Sequence, residues 1–142
     1  MSKHYAHASW EGNLTTGKGK YMLKTSKHEG NLTFPSRFED NKDSSSPEEL
    51  IGAAHASCFS MAFAHALDQD GYKPERIETA AEVTLAKAGE SFAITEIFLR
   101  TKGKVPDIEM QKFEKIANDA KENCPVSKAL KMVNIKLEID LL

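Results

Sequence analysis

Two cysteines 66 positions apart, Cys58 and Cys124, are the residues of this 142-residue chain best suited to chemistry beyond packing. A thiol becomes a strong nucleophile only as the thiolate, so its reactivity depends on what surrounds it. Cys58 lies in the stretch SPEELIGAAHASCFSMAFAHAL, Ser46 to Leu67, in the middle of an expected helix with almost no polar face. A mid-helix thiol receives no backbone N–H, so Cys58 needs a cation from elsewhere to ionise; without one it is a small buried hydrophobe. Cys124 has the better local position. It precedes Pro125, which suits the first residue of a short helix, and near such an N-cap backbone N–H groups favour a thiolate. The packing reading applies to Cys124 as well, since it ends a helix on its core-facing side. Spacing alone leaves both thiols open between packing and reactivity.

The histidines beside Cys58 raise a metal reading. His55, Cys58 and His65 share roughly one helix face, but His55 and His65 are ten residues, about 15 Å, apart along the axis, whereas zinc holds its donors at about 2.0 to 2.3 Å. They cannot both bind one ion. His55 with Cys58 and Cys124 stays open as a ligand set, but no fourth ligand is apparent, and no metal is the expectation. His55 is either a base for Cys58, three residues on, or a satisfied core histidine.

The elements that must position these residues follow from pattern. At 40% apolar and 28% charged residues, the chain suits one globular domain over residues 1–142 with a sizeable core. A formal charge of −2 offers no basic field for nucleic acid and no membrane patch. The opening MSKHYAHASWEG has no apolar run of signal-peptide length, so a soluble cytoplasmic protein is expected. In that reducing compartment, with no C-x-x-C, a pairing of the cysteines is transient and chemical rather than a staple. YAHASW, KGKYMLKT and NLTF read as strands joined by glycine turns. Ser46 caps the first helix, with Pro47 at its first position and Glu49 completing a capping box; Gly71 ends it. Ile77, Thr79, Ala81, Val83 and Leu85 alternate along a strand, FAITEIFLR forms another, and a helix capped by Asp107 turns Ile108, Phe113, Ile116, Ala117 and Ala120 to the core. After a short helix from Pro125, Val133 to Leu141 alternate as a last strand.

The order β-β-β-α-β-β-α-β has too few strand-helix-strand units for a doubly wound sheet and predicts an α+β fold of antiparallel sheets around a buried central helix. That helix is apolar and small-residue-rich nearly all round, and such a helix is buried on every side. One small chain can hardly wrap it, which predicts a homodimer.

SPEELIGAAHASCFSMAFAHAL, with SRFE upstream and NCPVSKAL downstream, resembles the OsmC/Ohr family of osmotically inducible and organic-hydroperoxide-resistance proteins, and more closely its OsmC branch. The likeness extends to ASWEGNLTTGKGKY and ESFAITEIFLRTKGKVP, and so covers nearly the whole chain. It implies a thiol-dependent peroxidase that reduces organic hydroperoxides through a reactive and a resolving cysteine, in an intertwined homodimer with shared active sites. On that resemblance Cys58 matches the peroxidatic cysteine and Cys124 the resolving one, which pair as a disulfide. Arg37 matches the arginine that stabilises thiolate and peroxide, and Glu48 the carboxylate that orients it. The Ohr branch has a tyrosine at the position of His55, which sets His55 outside the shared machinery.

No cofactor is expected, and the resemblance implies a reductant that is a lipoyl-type or other small dithiol. A guanidinium within about 4 to 6 Å favours the thiolate that burial disfavours. On one helix Glu48 and Cys58 are about 15 Å apart, so a site is expected to combine groups of both subunits. Phe59, Met61, Phe63, Phe98, Met110 and Phe113 are candidates either for an apolar pocket or for core. The rival readings are a redox sensor that forms the disulfide without turnover, an apolar-ligand carrier with inert cysteines, and a metal site that would show as chelator sensitivity.

Overall fold

Alternating strand residues and well-marked helix ends build two compact units, Met1–Leu50 and Ile51–Leu142, in a computed structural model that describes all of residues 1–142. The first unit holds β1 (Ala6–Glu11), β2 (Lys18–Leu23) and β3 (Glu29–Thr33), an antiparallel sheet in that order. Gly12, at φ +87°, opens the β1–β2 turn with backbone that other residues rarely adopt. A short helix α1 (Phe34–Phe38) follows β3 directly, where the sequence reading had only a connection. Its cause is local: Thr33 and Ser36 form a reciprocal capping box and Pro35 sits in the first turn, so a five-residue helix is held at its start. The Ser36 hydroxyl also donates to the Ser45 carbonyl at 2.9 Å, tying α1 to the segment that enters the next helix.

That next helix, α2, runs from Pro47 to Gln69. Ser46 caps it as expected, its Oγ accepting from the Glu49 N–H at 3.1 Å, and Gly71 at φ +87° stops it. By length and apolar composition α2 could cross a membrane, but Gly52, His55, Phe59, Phe63 and Leu67 form a buried stripe along it, the signature of a core helix. Ala53, Ala54, Ser57 and Met61 on the other side are exposed. The single chain therefore covers one side of α2, not all of it.

The second unit's sheet has the order β4 (Arg76–Ala88), β5 (Ser91–Lys104) and β6 (Asn134–Leu141). β4 and β5 form an antiparallel hairpin, whereas β6 pairs with β5 in parallel, the one departure from antiparallel sheets. A parallel neighbour needs a crossover, and the crossover here carries α3 (Met110–Asn123) and α4 (Pro125–Ala129). Asp107 does not cap α3. It sits at φ +62° in the preceding turn, and Glu109 occupies the cap position with no side-chain bond, so α3 rests on packing rather than capping. Ile108, Phe113, Ile116, Ala117 and Ala120 are buried as the spacing predicts.

One sheet face receives all of this apolar surface. Ile77, Thr79, Ala81 and Val83 of β4 lie opposite Gly103, Thr101, Leu99 and Ile97 of β5, and the β6 partners of those four are Leu141, Ile139, Leu137 and Ile135. Gly52 of α2 comes down on Val83 and Ala81, and Phe113 of α3 on Gly103 and Ile77, so both helices share this face. Phe63 links them, its ring 5.7 Å from Phe59 and 4.9 Å from Phe113. Each such ring contributes roughly 1.5 to 3 kcal/mol by burial. The opposite face is charged, with Arg100 paired to Glu82 and Lys136 to Glu96.

Candidate active site

Each unit assembles one pair of the residues singled out by sequence. In the second, α2 presents Cys58 one turn beyond His55, and α3 ends at Cys124, whose backbone N–H closes the helix on the Ala120 carbonyl at 2.8 Å. The Cys124 thiol donates to Cys58 Sγ with the sulfurs 2.8 Å apart; both thiols are free. A disulfide has its sulfurs about 2.05 Å apart, so little movement separates this contact from a bond.

Cys58 is partly exposed and Cys124 fully buried. An incoming molecule thus meets Cys58 first. Burial is the main cause that pushes the Cys58 thiol above the ordinary thiol value, and the adjoining Cys124 thiol adds to it, while the backbone N–H of Val126 bonds the same sulfur and pulls the other way. That N–H corrects the expectation that a mid-helix cysteine gets no backbone help: α4 supplies it across the fold, and to Cys58 rather than to Cys124.

His55 is completely buried, with Nε2 2.8 Å from the hydroxyl of Ser127, also buried. Its bonding partner is Ser127, with no bond to Cys58, so the geometry favours the core role over the base. Burial holds its pKa below the ordinary 6.5. Nδ1 is buried without a partner, which favours the tautomer that carries the proton on Nε2 and donates to Ser127. No group of three or more His, Cys, Asp or Glu side chains converges to hold a metal.

In the first unit Arg37, on α1, grips Glu48, in the first turn of α2. Arg37 Nη2 donates to Glu48 Oε1 at 2.9 Å and Nε to Oε1 and Oε2 at 3.1 and 3.3 Å. The Glu48 side chain is 8% exposed and that of Arg37 38%, so the carboxylate is committed to the pair while part of the guanidinium stays open. Lysine could not reproduce this fork. Arg37 also borders a cavity of about 340 Å³ lined by Trp10, Leu14, Leu32, Phe34 and Phe38, large enough for an alkyl or aryl group.

Comparison with known proteins places the chain in a family. A model of the OsmC-like protein family matches residues 40–140. The chain belongs to that family. It is 44% identical over 125 residues to the peroxiredoxin OsmC of Escherichia coli, covering 87% of each protein. With the organic hydroperoxide resistance protein OhrB of Bacillus subtilis it shares 28% over 109 residues, 76% of this chain and 79% of that one. Solved structures share the fold: an OsmC-like protein of Vibrio cholerae at a TM-score of 0.77 and 19% identity, covering 98% of this chain and 99% of that one, and B. subtilis OhrB at 0.70 and 22%, covering 97% and 98%.

Sequence reasoning missed Val126 as a neighbour of the Cys58 thiol, Ser127 as the partner of His55, and the cavity beside Arg37. Phe59, Phe63 and Phe113, weighed between pocket and core, are core, while Met61 and Met110 are exposed. The cavity draws instead on Trp10, Phe34 and Phe38, whose grouping depends on α1.

Proposed function

We infer that this chain is a cysteine-based peroxidase that reduces organic hydroperoxides to alcohols. The observation that carries the reading is the Cys58–Cys124 contact at 2.8 Å, a partly exposed thiol backed by a buried one. The Cys58 thiolate attacks the terminal peroxide oxygen, the O–O bond breaks, the alkoxide leaves as alcohol, and Cys58 becomes a sulfenic acid. Cys124 condenses with it, releasing water and leaving a disulfide that shields Cys58 from further oxidation. An external dithiol of lipoyl type is oxidised in turn and returns both thiols in a reducing cytoplasm.

Arg37 and Glu48 supply what the surroundings of Cys58 lack. Burial raises the Cys58 pKa, so a working nucleophile needs a cation, and the open part of the Arg37 guanidinium is suited to favour the thiolate and hold the peroxide oxygens. Glu48 fixes its plane. A second copy completes the assembly: the exposed Ala53, Ala54, Ser57 and Met61 face of α2 offers small side chains for close helix approach, and Glu48 and Cys58, ten residues apart on one helix, serve different sites of a homodimer. The aromatic cavity beside Arg37 favours hydroperoxides with apolar tails.

The test is turnover of tert-butyl hydroperoxide with dihydrolipoamide or dithiothreitol. Multiple turnovers by the wild type, none by Cys58→Ser, and a sulfenic acid trapped on Cys58 in Cys124→Ser are expected. One stoichiometric oxidation that no dithiol reverses would point to a sensor; unreactive thiols would leave an apolar-ligand carrier.

A further inference from the structure

Three neighbouring residues at the start of α4 reach α2. Cys124 Sγ bonds Cys58 Sγ, the Val126 N–H bonds the same sulfur, and Ser127 Oγ lies 2.8 Å from His55 Nε2. His55 and Cys58 are three residues apart, and so adjacent on one helix face. The first two contacts end on the reacting sulfur and change as it passes from thiolate to sulfenic acid to disulfide, in the cycle inferred above, on which this inference rests. The third touches no reacting atom. We propose that the buried His55–Ser127 hydrogen bond is a latch that keeps the resolving segment seated on α2 while Cys58 is a sulfenic acid.

Packing alone does not account for this imidazole. Burying Nδ1 unpaired is unfavourable, and an apolar side chain would fill the space without that penalty; the bond to Ser127 is what the imidazole adds. Both ends are at most 5% exposed, so water does not compete for the bond. α4 has only five residues, too few to be stable by itself, and its place depends on what ties it down.

The latch acts on one step. In closure the Cys124 sulfur attacks the Cys58 sulfur of the sulfenic acid; the S–S bond forms, the S–O bond breaks, and the hydroxyl leaves as water with the proton of the Cys124 thiol. Cys124 is oxidised and the sulfenic sulfur reduced. If Cys124 strays, a second hydroperoxide transfers an oxygen to Cys58 instead, giving sulfinic acid and another alcohol. His55 and Ser127 are thus positioning residues whose loss shifts the partition between disulfide and sulfinic acid.

The experiment is a rapid-quench intact-mass time course on the full reduced chain with one and ten equivalents of tert-butyl hydroperoxide. Disulfide appears as loss of two hydrogens, sulfenic and sulfinic acid as gain of one and two oxygens. In Ser127→Ala closure is expected to slow about tenfold, the order of effect of a misplacement below 1 Å, with sulfinic acid accumulating at ten equivalents. His55→Gln, whose amide reaches the Nε2 position, should close within about threefold of wild type. Closure in Ser127→Ala at the wild-type rate overturns the latch, as does His55→Gln failing as badly as Ser127→Ala.

Should Ser127→Ala not fold, hydrogen exchange in Cys58→Ala decides. Both sulfur contacts are then gone, and the Lys128 amide of α4 and the Leu130 amide that caps it, bonded to the Cys124 and Val126 carbonyls, stay protected if the latch holds; their loss of protection overturns it. A wild type that takes up no oxygen and forms no disulfide refutes the peroxidase instead, while the exchange measurement still judges the latch by itself.

Discussion

Gly103→Ala should loosen both the core and the thiol pair, because it strikes the point where α3 sits on the sheet. An added Cβ at Gly103 would meet Phe113 Cζ at 2.5 Å, Cε2 at 2.7 Å and Ile77 Cδ1 at 3.1 Å. Non-bonded carbons rest at about 3.5 to 4.0 Å, so the ring must retreat by about 1 Å. It has little room, being fully buried and backed by Phe63 at 4.9 Å, and β5 cannot withdraw between β4 and β6. Overpacking of this kind costs about 3 kcal/mol, at the upper end of the usual range. Replacing a strand glycine by alanine returns about 0.5 to 1 kcal/mol. The net loss is about 2 kcal/mol, which at an m value of roughly 2 kcal/mol/M lowers the urea midpoint by about 1 M. Phe113→Leu in the same chain removes the clashing ring atoms and should recover part of the loss, a coupling that a double-mutant cycle reads directly. Since α3 ends at Cys124, its displacement should also slow disulfide closure after one equivalent of hydroperoxide. A midpoint within about 0.25 M of wild type, or no recovery with Phe113→Leu, would refute the packing argument.

The Arg37–Glu48 pair should show a coupling of about 1 to 3 kcal/mol in an Arg37→Ala, Glu48→Ala cycle of urea unfolding; the figure stays low because Arg37 is more than one-third exposed. Arg37→Lys should keep part of the stability yet lose at least tenfold in kcat/KM for an alkyl hydroperoxide, since a point charge cannot replace the fork; equal activity of Lys and Arg would count against the assigned role. His55 sets a pH dependence. Its folded pKa lies below 6.5, so as pH falls the unfolded chain takes the proton first, and the stability present above about 6.5 is lost as pH drops through the folded value. Urea midpoints between pH 7.5 and 5 should fall more steeply for wild type than for His55→Gln, and parallel slopes would contradict the burial argument.

What was legible in the sequence is local. Ser46 and Gly71 mark the ends of α2 through caps that need only neighbouring residues, and the alternation from Ile77 and from Val133 names the half-buried, core-facing strand positions, because side-chain direction in a strand has period 2. α1 escaped the reading since its box uses Ser36 where glutamate or glutamine is the usual third member. Asp107 misled because its side chain suits a cap while its backbone, at φ +62°, lies in a turn.

The candidate site was legible as residues and not as contacts, and the reason is topological. Nothing near Cys58 in sequence announces Cys124, Val126 or Ser127. They arrive because β6 pairs with β5 in parallel, which obliges the chain to cross over the sheet, and the crossover helices pack on the same face as α2. Had β6 been antiparallel, as expected, the two helices between β5 and β6 would have had to return to the end of β5 they left from instead of crossing the sheet. The pairing direction of one strand thus decides whether the two thiols meet. It also explains why the α3–sheet contact at Gly103 and the His55–Ser127 bond bear on the same chemistry: one seats the crossover at its start, the other holds it at the thiols.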